Sequence, residues 1–253
     1  MEFTNARLVE APSAEELDRR FAEEVADYVQ ERIAAAGTVH LAVSGGSLAE
    51  RALPRVIAAA NERGIDWSNV HIWFADERFS PRGSIDRNAT LVVAAGREAA
   101  GFRPEHLHIT EASDSGISLD EVAERYAEQL RTYVGAQHSG RVPQLDLVLL
   151  GMGPDGHTAS LFPGLPGVRA EEELVIAVRD SPKPPAERVS LTLPVLAASR
   201  RCWLYATGEN KREALALARS GTATREESPV GAIRAAEEVA IFADAAALGT
   251  ASG

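Results

Sequence analysis

The feature that most constrains the fold is an alternation of short, continuously apolar segments with longer amphipathic ones. The clearest apolar segments are Val39–Val43, Val70–Ala75, Leu145–Leu150 and Cys202–Ala206. Strands that are apolar on both faces are typical of a parallel sheet covered by helices on both sides. We therefore predict an α/β fold with a mostly parallel central sheet flanked by helices on both faces, in one domain spanning residues 1–253.

The amphipathic segments carry signals for helix starts and stops. Ser13 and Glu16 have the spacing of a capping box, and an i+4 apolar stripe follows them to Ala36. Ser118 begins a second segment of this kind, which runs to Val134. Pro54 interrupts a third segment, which predicts a kink or two short helices there.

Composition narrows the class of partner. The formal net charge is −11, with 26 Lys and Arg against 37 Asp and Glu. Such a chain is poorly suited to general binding of nucleic acid or anionic membranes, although local N–H groups and cations can still bind a small anion. Cys202 is the single cysteine, which excludes an intrachain disulfide. Residues 1–4 do not resemble a signal peptide and no apolar run approaches membrane length, so we expect a cytoplasmic protein.

Unusual chemistry follows four of the predicted strands. The four stretches are Ser44–Ser47, Asp76–Arg78, Gly151–His157 and Gly208–Lys211. The carboxyl ends of parallel strands lie at one edge of a sheet, where ligands bind in folds of this kind. We expect one shared site there, against the alternative that these are ordinary polar loops.

The richest of these stretches is the glycine- and proline-rich segment from Gly151 to Gly164. It predicts a fixed turn that presents Asp155 and His157, an acceptor and a base that works near neutral pH. The alternative is that both residues only stabilise the turn or cap a helix.

The stretch Ser44-Gly45-Gly46-Ser47 favours phosphate binding. Two glycines allow close approach of the backbone, and a following helix would supply partial positive charge. It matches neither the Walker A nor the G-x-G-x-x-G pattern, and a capped tight turn is the alternative. Arg78 and Lys211 are the cations most plausibly aimed at this edge, although either can be a solvated charge, and Lys211 can also serve as a Schiff-base lysine.

Metal sites have little support in the sequence. His106 and His108 lie two residues apart, without the acidic or cysteine partners of known zinc patterns. We expect no metal site.

Five motifs in order resemble the 6-phosphogluconolactonase family of the glucosamine/galactosamine-6-phosphate isomerase superfamily. They are Ser44–Ser47, Phe74–Arg78, Gly151–Pro163, Pro182–Pro194 and the pair Gly208 and Lys211. The resemblance implies a modified Rossmann-like fold of the deaminase/lactonase type. It implies hydrolysis of the small-molecule phosphosugar lactone 6-phospho-D-glucono-1,5-lactone to 6-phosphogluconate, with no metal and no organic cofactor. It gives no expectation about oligomeric state.

The resemblance also implies roles for individual residues. His157 is expected to be the general base, and Asp155 to shape the turn or orient the imidazole, with the turn slightly favoured. Asp76 is expected to hold His157 or a sugar hydroxyl, and Arg78 or the N–H groups of Gly153 and Gly156 to stabilise the oxyanion. The expected phosphate ligands are Ser44, Gly45, Gly46, Ser47 and Lys211, with Arg179, Lys183 and Arg188 as further candidates.

The chain departs from the family pattern at two places. Leu48-Ala49 stands where Thr-Pro is usual, which affects the expected geometry of the helix start. Arg87-Asn88 stands where Ser-Asn is usual. A contact through the serine hydroxyl is therefore not expected there, while the asparagine of the pattern is kept as Asn88.

Two other functions are compatible with parts of the pattern. Glucosamine-6-phosphate deaminases resemble the first and third motifs and also have a late lysine. Their third motif continues Ile-Ala-Phe-Asn-Glu-Pro, whereas Phe162 precedes Pro163 here. A non-enzymatic sugar-phosphate sensor would usually carry a basic DNA-binding module, and no such segment is found in the sequence.

Overall fold

The computed structural model describes residues 1–135 and 142–250. The strands within these ranges are β1 Arg7–Ala11, β2 Val39–Val43, β3 Val70–Phe74, β4 Asp76–Arg78, β5 Leu147–Leu150, β6 Val175–Val178, β7 Arg188–Leu191, β8 Arg201–Ala206 and β9 Glu238–Asp244. The α-helices within them are α1 Ala14–Ala36, α2 Leu53–Glu62, α3 Asn88–Gly96, α4 Leu119–Tyr133, α5 Leu193–Ala198, α6 Arg212–Ser220 and α7 Ala245–Leu248.

The central sheet is parallel throughout its described strands. Its order is β1-β9-β8-β5-β2-β3, and each neighbouring pair runs in the same direction. Leu41 of β2, for example, pairs with Ile72 on one side and Leu147 on the other. The predicted α/β architecture with a mostly parallel sheet is therefore confirmed.

Helices cover both faces of this sheet, as predicted. Alternate residues of β2 point to opposite faces, so Leu41 and Val43 pack with α1, α2 and α3, whereas Ala42 packs with α4, α5 and α6. Ser13 caps α1 by accepting a hydrogen bond from the N–H of Glu16. Burial on both faces explains why the strands read as continuous apolar runs.

Pro54 divides the third helical segment, as expected. Leu48–Ala52 forms a π-helical turn, and α2 begins at Leu53 with Pro54 in its first turn. Proline is tolerated there because the first N–H groups of a helix have no intrahelical acceptor. No helix of the described residues is long and apolar enough to cross a membrane.

A second, antiparallel sheet of order β4-β7-β6 was not predicted. Asp76–Arg78 is therefore a strand of this sheet and not a loop after β3. The chain passes between the sheets at Ala75, whose N–H donates to Val43 while its carbonyl accepts from Leu191. The second sheet thus starts at the carboxyl edge of the first.

The topology places a crevice between β2 and β5. These strands are neighbours, but the next strand of the central sheet after β2 is β3, on one side. The next strand of this sheet after β5 is β8, on the other side. The loops that leave the two strands therefore diverge. This is the position where open α/β sheets bind ligands.

Candidate active site

A pocket of about 290 Å³ lies at the carboxyl ends of β2, β5 and β8. Its wall contains Ser44, Gly45, Gly46, Ser47, Asp76, Arg78, Asn88, Gly151, Met152, Gly153, His157, Ala159, Lys183, Pro184, Arg188 and Lys211. All four stretches that the sequence singles out contribute to this wall. The structure therefore brings them together around one cavity.

The loop after β2 presents backbone N–H groups to the pocket. Gly46 has a φ of 61°, in the left-handed region that favours glycine. A Cβ on Gly45 would lie 1.9 Å from Oδ1 of Asn88, so the side chain of Asn88 fits against the bare backbone. Within the described residues, no acceptor is found for the N–H groups of Gly45, Gly46 or Ser47. These groups are free to bind an anion.

The start of the following helix differs from an ordinary α-helical N-terminus. Ser47 has helical dihedral angles and precedes the π-helical turn Leu48–Ala52. Leu48 and Ala49 are both buried, so this departure from the family pattern is packed into the core. The segment still starts at the pocket, because Ser47 lies in the pocket wall.

Asp155 and His157 form the central pair of the site. Nδ1 of His157 lies 2.5 Å from Oδ1 of Asp155. Burial alone would raise the pKa of Asp155, but the hydrogen bond from His157 and the charges of His157 and Lys183 hold it well below its usual value. Asp155 does not line the pocket, and its carboxylate reaches the imidazole. This contact is suited to orienting His157, and the choice between that role and the slightly favoured turn role stays a prediction.

A glycine at position 153 makes this pair possible. A Cβ there would lie 2.0 Å from Nδ1 of His157 and 2.2 Å from Oδ1 of Asp155. The N–H of Gly153 donates to the carbonyl of His157, and the N–H of Gly156 donates to the carbonyl of Gly153. Both N–H groups are thus used within the turn, so the expectation that they stabilise an oxyanion stays a prediction without support from this geometry.

Two lysines face the pair from other loops. Nζ of Lys183 lies 3.3 Å from Nδ1 of His157 and 3.6 Å from Oδ1 of Asp155. Lys211 lines the same pocket and is half-buried. Burial and the charge of Lys183 lower the pKa of Lys211, while Asp155 opposes this shift. Two ammonium groups that repel each other across a cavity favour an anion between them.

Lys211 is placed by an anchored turn. Gly208 has a φ of 90° and a ψ of 150°, a conformation that is essentially restricted to glycine. Its N–H lies 3.0 and 3.1 Å from the two carboxylate oxygens of Asp244. Asp244 also caps α7 through the N–H of Ala247. The end of β9 therefore fixes the turn that carries Lys211.

Asp76 lies in the pocket wall but does not contact His157. Its Oδ2 accepts a hydrogen bond from Oγ of Ser160 at 2.6 Å and lies 3.8 Å from Nη1 of Arg188. Of the two expected roles, a direct hold on His157 has no support in this geometry, because Asp76 pairs with Ser160 and Arg188. A contact with a substrate hydroxyl stays a prediction.

The neighbouring Glu77 and Asn88 organise the entry to α3. The buried carboxylate of Glu77 accepts from the N–H groups of Arg78, Asn88 and Ala89. Burial raises the pKa of Glu77, and these hydrogen bonds with the charge of Arg87 oppose that shift. Asn88 donates from Nδ2 to the carbonyl of Asp76 at 2.8 Å, which assigns Oδ1 to the side facing Gly45.

Arg78 reaches the pocket from β4. Its Nη1 donates to the carbonyl of Asp86 at 2.5 Å, and its buried Nε has no partner among the described residues. Arg87, at the position where the family pattern has serine, is buried and donates to the carbonyls of Ser80 and Thr110. Arg87 thus supports the loop and does not line the pocket.

Arg188 and Arg179 were both candidate phosphate ligands, and the structure separates them. Arg188 lines the pocket, is buried, and has its pKa lowered by that burial. Arg179 lies outside this pocket, is exposed, and pairs with Asp120. The expected phosphate contact of Arg179 stays a prediction that this arrangement does not support, because its guanidinium pairs with Asp120 on the surface of α4.

The sequence assigns no role to four of the pocket residues. Gly151, Met152, Ala159 and Pro184 line the cavity through positions that carry no polar side chain. Ala159 has a φ of 49°, which is rare for a residue other than glycine. A positive φ outside glycine often marks a functional turn, but this signal is visible only in the structure.

The histidines considered for metal binding lie elsewhere. His106 and His108 stack near His71, which is part of β3 close to the strand's amino end. Within the described residues, no group of three or more His, Cys, Asp or Glu side chains is arranged to hold a metal ion.

Residues 12–242 match the family described as glucosamine-6-phosphate isomerases/6-phosphogluconolactonase. The chain belongs to this family. A 6-phosphogluconolactonase of Streptomyces coelicolor is 39% identical over 216 residues, which cover 85% of this chain and 83% of the relative. One of Mycobacterium tuberculosis is 37% identical over 191 residues, covering 75% and 76%.

Solved structures of the family share the fold. A 6-phosphogluconolactonase from Trypanosoma cruzi superposes with a TM-score of 0.82 at 22% identity, covering 100% of this chain and 99% of the other. A monomeric glucosamine-6-phosphate deaminase of the NagB superfamily gives 0.76 at 19% identity, covering 96% and 99%. At these identities the likeness establishes the fold, and the choice of reaction within the family depends on the site.

Proposed function

We propose that the chain hydrolyses 6-phospho-D-glucono-1,5-lactone to 6-phosphogluconate, the second step of the oxidative pentose phosphate pathway. The observation that carries the proposal is that His157, paired with Asp155, lines one pocket with the Ser44–Ser47 loop and Lys211. The names of the Streptomyces and Mycobacterium relatives support it. We take residues 1–253 as one catalytic domain that uses no metal or organic cofactor, as the resemblance implies.

The hydrogen bond to Asp155 assigns the proton on His157. An ionised carboxylate accepts, so Nδ1 must carry the hydrogen at the 2.5 Å contact. The lone pair is then on Nε2, the nitrogen that can take a proton from water. His157 thereby acts as the general base, a role that contributes roughly 10²–10⁴-fold to the rate.

The reaction follows from this arrangement. The water oxygen bonds to the lactone carbonyl carbon while its proton moves to Nε2 of His157. The bond from that carbon to the ring oxygen then breaks, and the imidazolium returns its proton to the leaving oxygen. Since the N–H groups of Gly153 and Gly156 are used within the turn, Arg78 is the predicted donor that can stabilise the oxyanion.

The opposite part of the pocket suits the phosphate. The N–H groups of Gly45, Gly46 and Ser47 have no acceptor in the described part of the chain. Together with the ammonium of Lys211, they are the groups that an anion prefers. Binding energy gained at the phosphate positions the lactone carbonyl against the water, because remote contacts can hold a reactant in a reactive geometry.

Hydrolysis of the lactone by the wild type and by His157→Ala tests the proposal. We expect the variant to lose roughly 10²–10⁴-fold in kcat once the spontaneous hydrolysis of the lactone is subtracted. His106→Ala is the matched control, because it removes a histidine that stacks on His71 and does not line the pocket. Wild-type turnover by His157→Ala would exclude the general-base role.

Glucosamine-6-phosphate deamination is the alternative within the family. Phe162 occupies the position before Pro163 and is buried, so this position supplies no carboxylate for proton transfer. Release of ammonia from glucosamine 6-phosphate, with the lactone left at its spontaneous rate, would reverse the choice. Binding of phosphosugars without turnover of either compound would instead support a sensor.

A further inference from the structure

We propose that Arg188 is a positioning residue that holds the base His157 in place and does not bind the substrate phosphate. The inference rests on the proposed lactone hydrolysis. Arg188 is the first residue of β7, and its side chain is only 4% exposed although it is charged. A guanidinium buried to this degree needs partners for its donors.

Nε and Nη2 of Arg188 make three hydrogen bonds with the protein, and Nη1 faces a carboxylate. Nε donates to the carbonyl of Pro185 at 3.1 Å, and Nη2 lies 3.0 and 3.2 Å from the carbonyls of Lys183 and Pro184. Nη1 lies 3.8 Å from Oδ2 of Asp76. The planar, forked guanidinium thus binds three successive carbonyls of one turn, an arrangement that a lysine cannot reproduce.

This turn is the first connection between Arg188 and His157. Lys183 belongs to it, and its Nζ lies 3.3 Å from Nδ1 of His157 and 3.6 Å from Oδ1 of Asp155. Because Nδ1 donates its hydrogen to Asp155, the ammonium pairs with the carboxylate beside that bond. Ser181 fixes the same turn by donating from Oγ to the carbonyl of Lys183 at 2.8 Å.

An aromatic ring is the second connection. The guanidinium carbon of Arg188 lies 5.7 Å from the centre of the Phe162 ring. The Phe162 ring is 4.5 Å from the imidazole of His157, with an angle of 35° between the planes. Phe162 is fully buried, so its ring is a rigid support for the imidazole. Arg188 therefore contacts both Lys183 and Phe162, and each of these residues contacts the imidazole of His157.

Arg188→Lys separates positioning from phosphate binding, because it keeps the charge and removes the fork. A displacement of the base by about 1 Å can cost 10²-fold, so we expect kcat to fall about 10²-fold. We expect the Kd of the product 6-phosphogluconate to stay within about threefold. Lys211→Met is the comparison for a phosphate ligand and should raise that Kd about tenfold or more.

Two controls complete the test. Arg131→Lys makes the same replacement at an exposed arginine that pairs with Glu128 on α4, and it should match the wild type. Ser181→Ala releases the same turn without a change in the pocket wall, and it should lower kcat several-fold with an unchanged Kd. Thermal unfolding shows whether Arg188→Lys folds. If it does not, Ser181→Ala serves as the test.

The outcomes distinguish this inference from the proposed function. A tenfold rise in the Kd of 6-phosphogluconate with full kcat in Arg188→Lys would identify a phosphate ligand and overturn the inference. Wild-type kcat in Ser181→Ala, beside an unfolded Arg188→Lys, would overturn it as well. A wild-type protein that leaves the lactone at its spontaneous rate would instead contradict the proposed function, and the inference with it.

Discussion

The imidazole of His108 stacks on the indole of Trp73, with ring centres 3.7 Å apart and planes within 5° of parallel. Nε2 of His108 lies 2.9 Å from Nδ1 of His71, and His71 stacks in turn on His106. His40 accepts a hydrogen bond from the indole N–H of Trp73. Four of the six histidines in the chain thus form one histidine cluster around β3.

This histidine cluster should make the fold sensitive to acid. Burial and the neighbouring histidines lower the pKa of His71 to about 4 and that of His108 to about 3. The unfolded chain takes up these protons near pH 6.5, so stability is complete above that pH and is lost as the pH falls towards 3–4. After a discount for solvent screening, we expect roughly 3 kcal/mol less free energy of unfolding at pH 4 than at pH 7.

Urea unfolding at pH 7, 5.5 and 4 measures this loss. His108→Phe keeps a ring on Trp73 but cannot take up a proton, so its stability should depend less on pH over the same range. An equal dependence in the variant and the wild type would mean that other groups cause the acid sensitivity.

Gly153→Ala should inactivate the enzyme while the fold persists. The added Cβ would meet Nδ1 of His157 at 2.0 Å and Oδ1 of Asp155 at 2.2 Å, so the pair must separate. We expect kcat to fall about 10²-fold or more, measured with the lactone. Gly135→Ala is the control, because the nearest atom to its Cβ would be 3.9 Å away. Full activity in Gly153→Ala would show that the pair is not needed in its observed form.

Asp155→Asn should lower kcat more than it changes KM. The asparagine amide can donate to Nδ1 of His157 and so stabilise the tautomer whose proton is on Nε2, where the base must be free. We expect a loss of roughly 10²-fold in kcat, determined by steady-state kinetics with the background subtracted. A variant with unchanged kcat and a weakened fold would restore the turn as the main role of Asp155.

Gly208→Ala should weaken both the fold and substrate binding. Its φ of 90° is strained for any residue with a Cβ, at a cost of about 1–3 kcal/mol. The strained turn also carries Lys211, so we expect a lower Tm and a higher KM for the lactone. Gly64→Ala is the control. Gly64 has a φ of 67° with open space around an added Cβ, so its replacement should lower Tm without a change in KM. If Gly208→Ala and Gly64→Ala changed KM equally, the turn that carries Lys211 would have no special role in substrate binding, which would contradict Lys211 as a phosphate ligand.

Much of the fold follows from local sequence. Runs such as Val39–Val43 are apolar on both faces, and this property alone specifies a strand between two helical layers. The meeting of Ser44 and His157 follows in turn, because parallel strands place their carboxyl ends at one edge. That residues 1–253 act as one domain stays a prediction.

The second sheet and its arginines could not be predicted in this way. Asp76–Arg78 is polar and pairs with a strand more than a hundred residues away, so no local pattern marks it. Arg188 of β7 pairs with Val178 of β6, and Arg179 directly follows Val178 in the sequence. A step of one residue turns a side chain to the other face, and only the observed register shows which arginine enters the pocket.

The order β1-β9-β8 has a consequence for how the protein is made. The first strand of the chain pairs with the last described one, Glu238–Asp244, which also supplies Asp244 to the turn before Lys211. During synthesis, β1 therefore waits without its partner until residues 238–244 have left the ribosome. A product that ends before β9 lacks the strand between β1 and β8 and the carboxylate of Asp244 that anchors the turn before Lys211, so we expect it to be inactive.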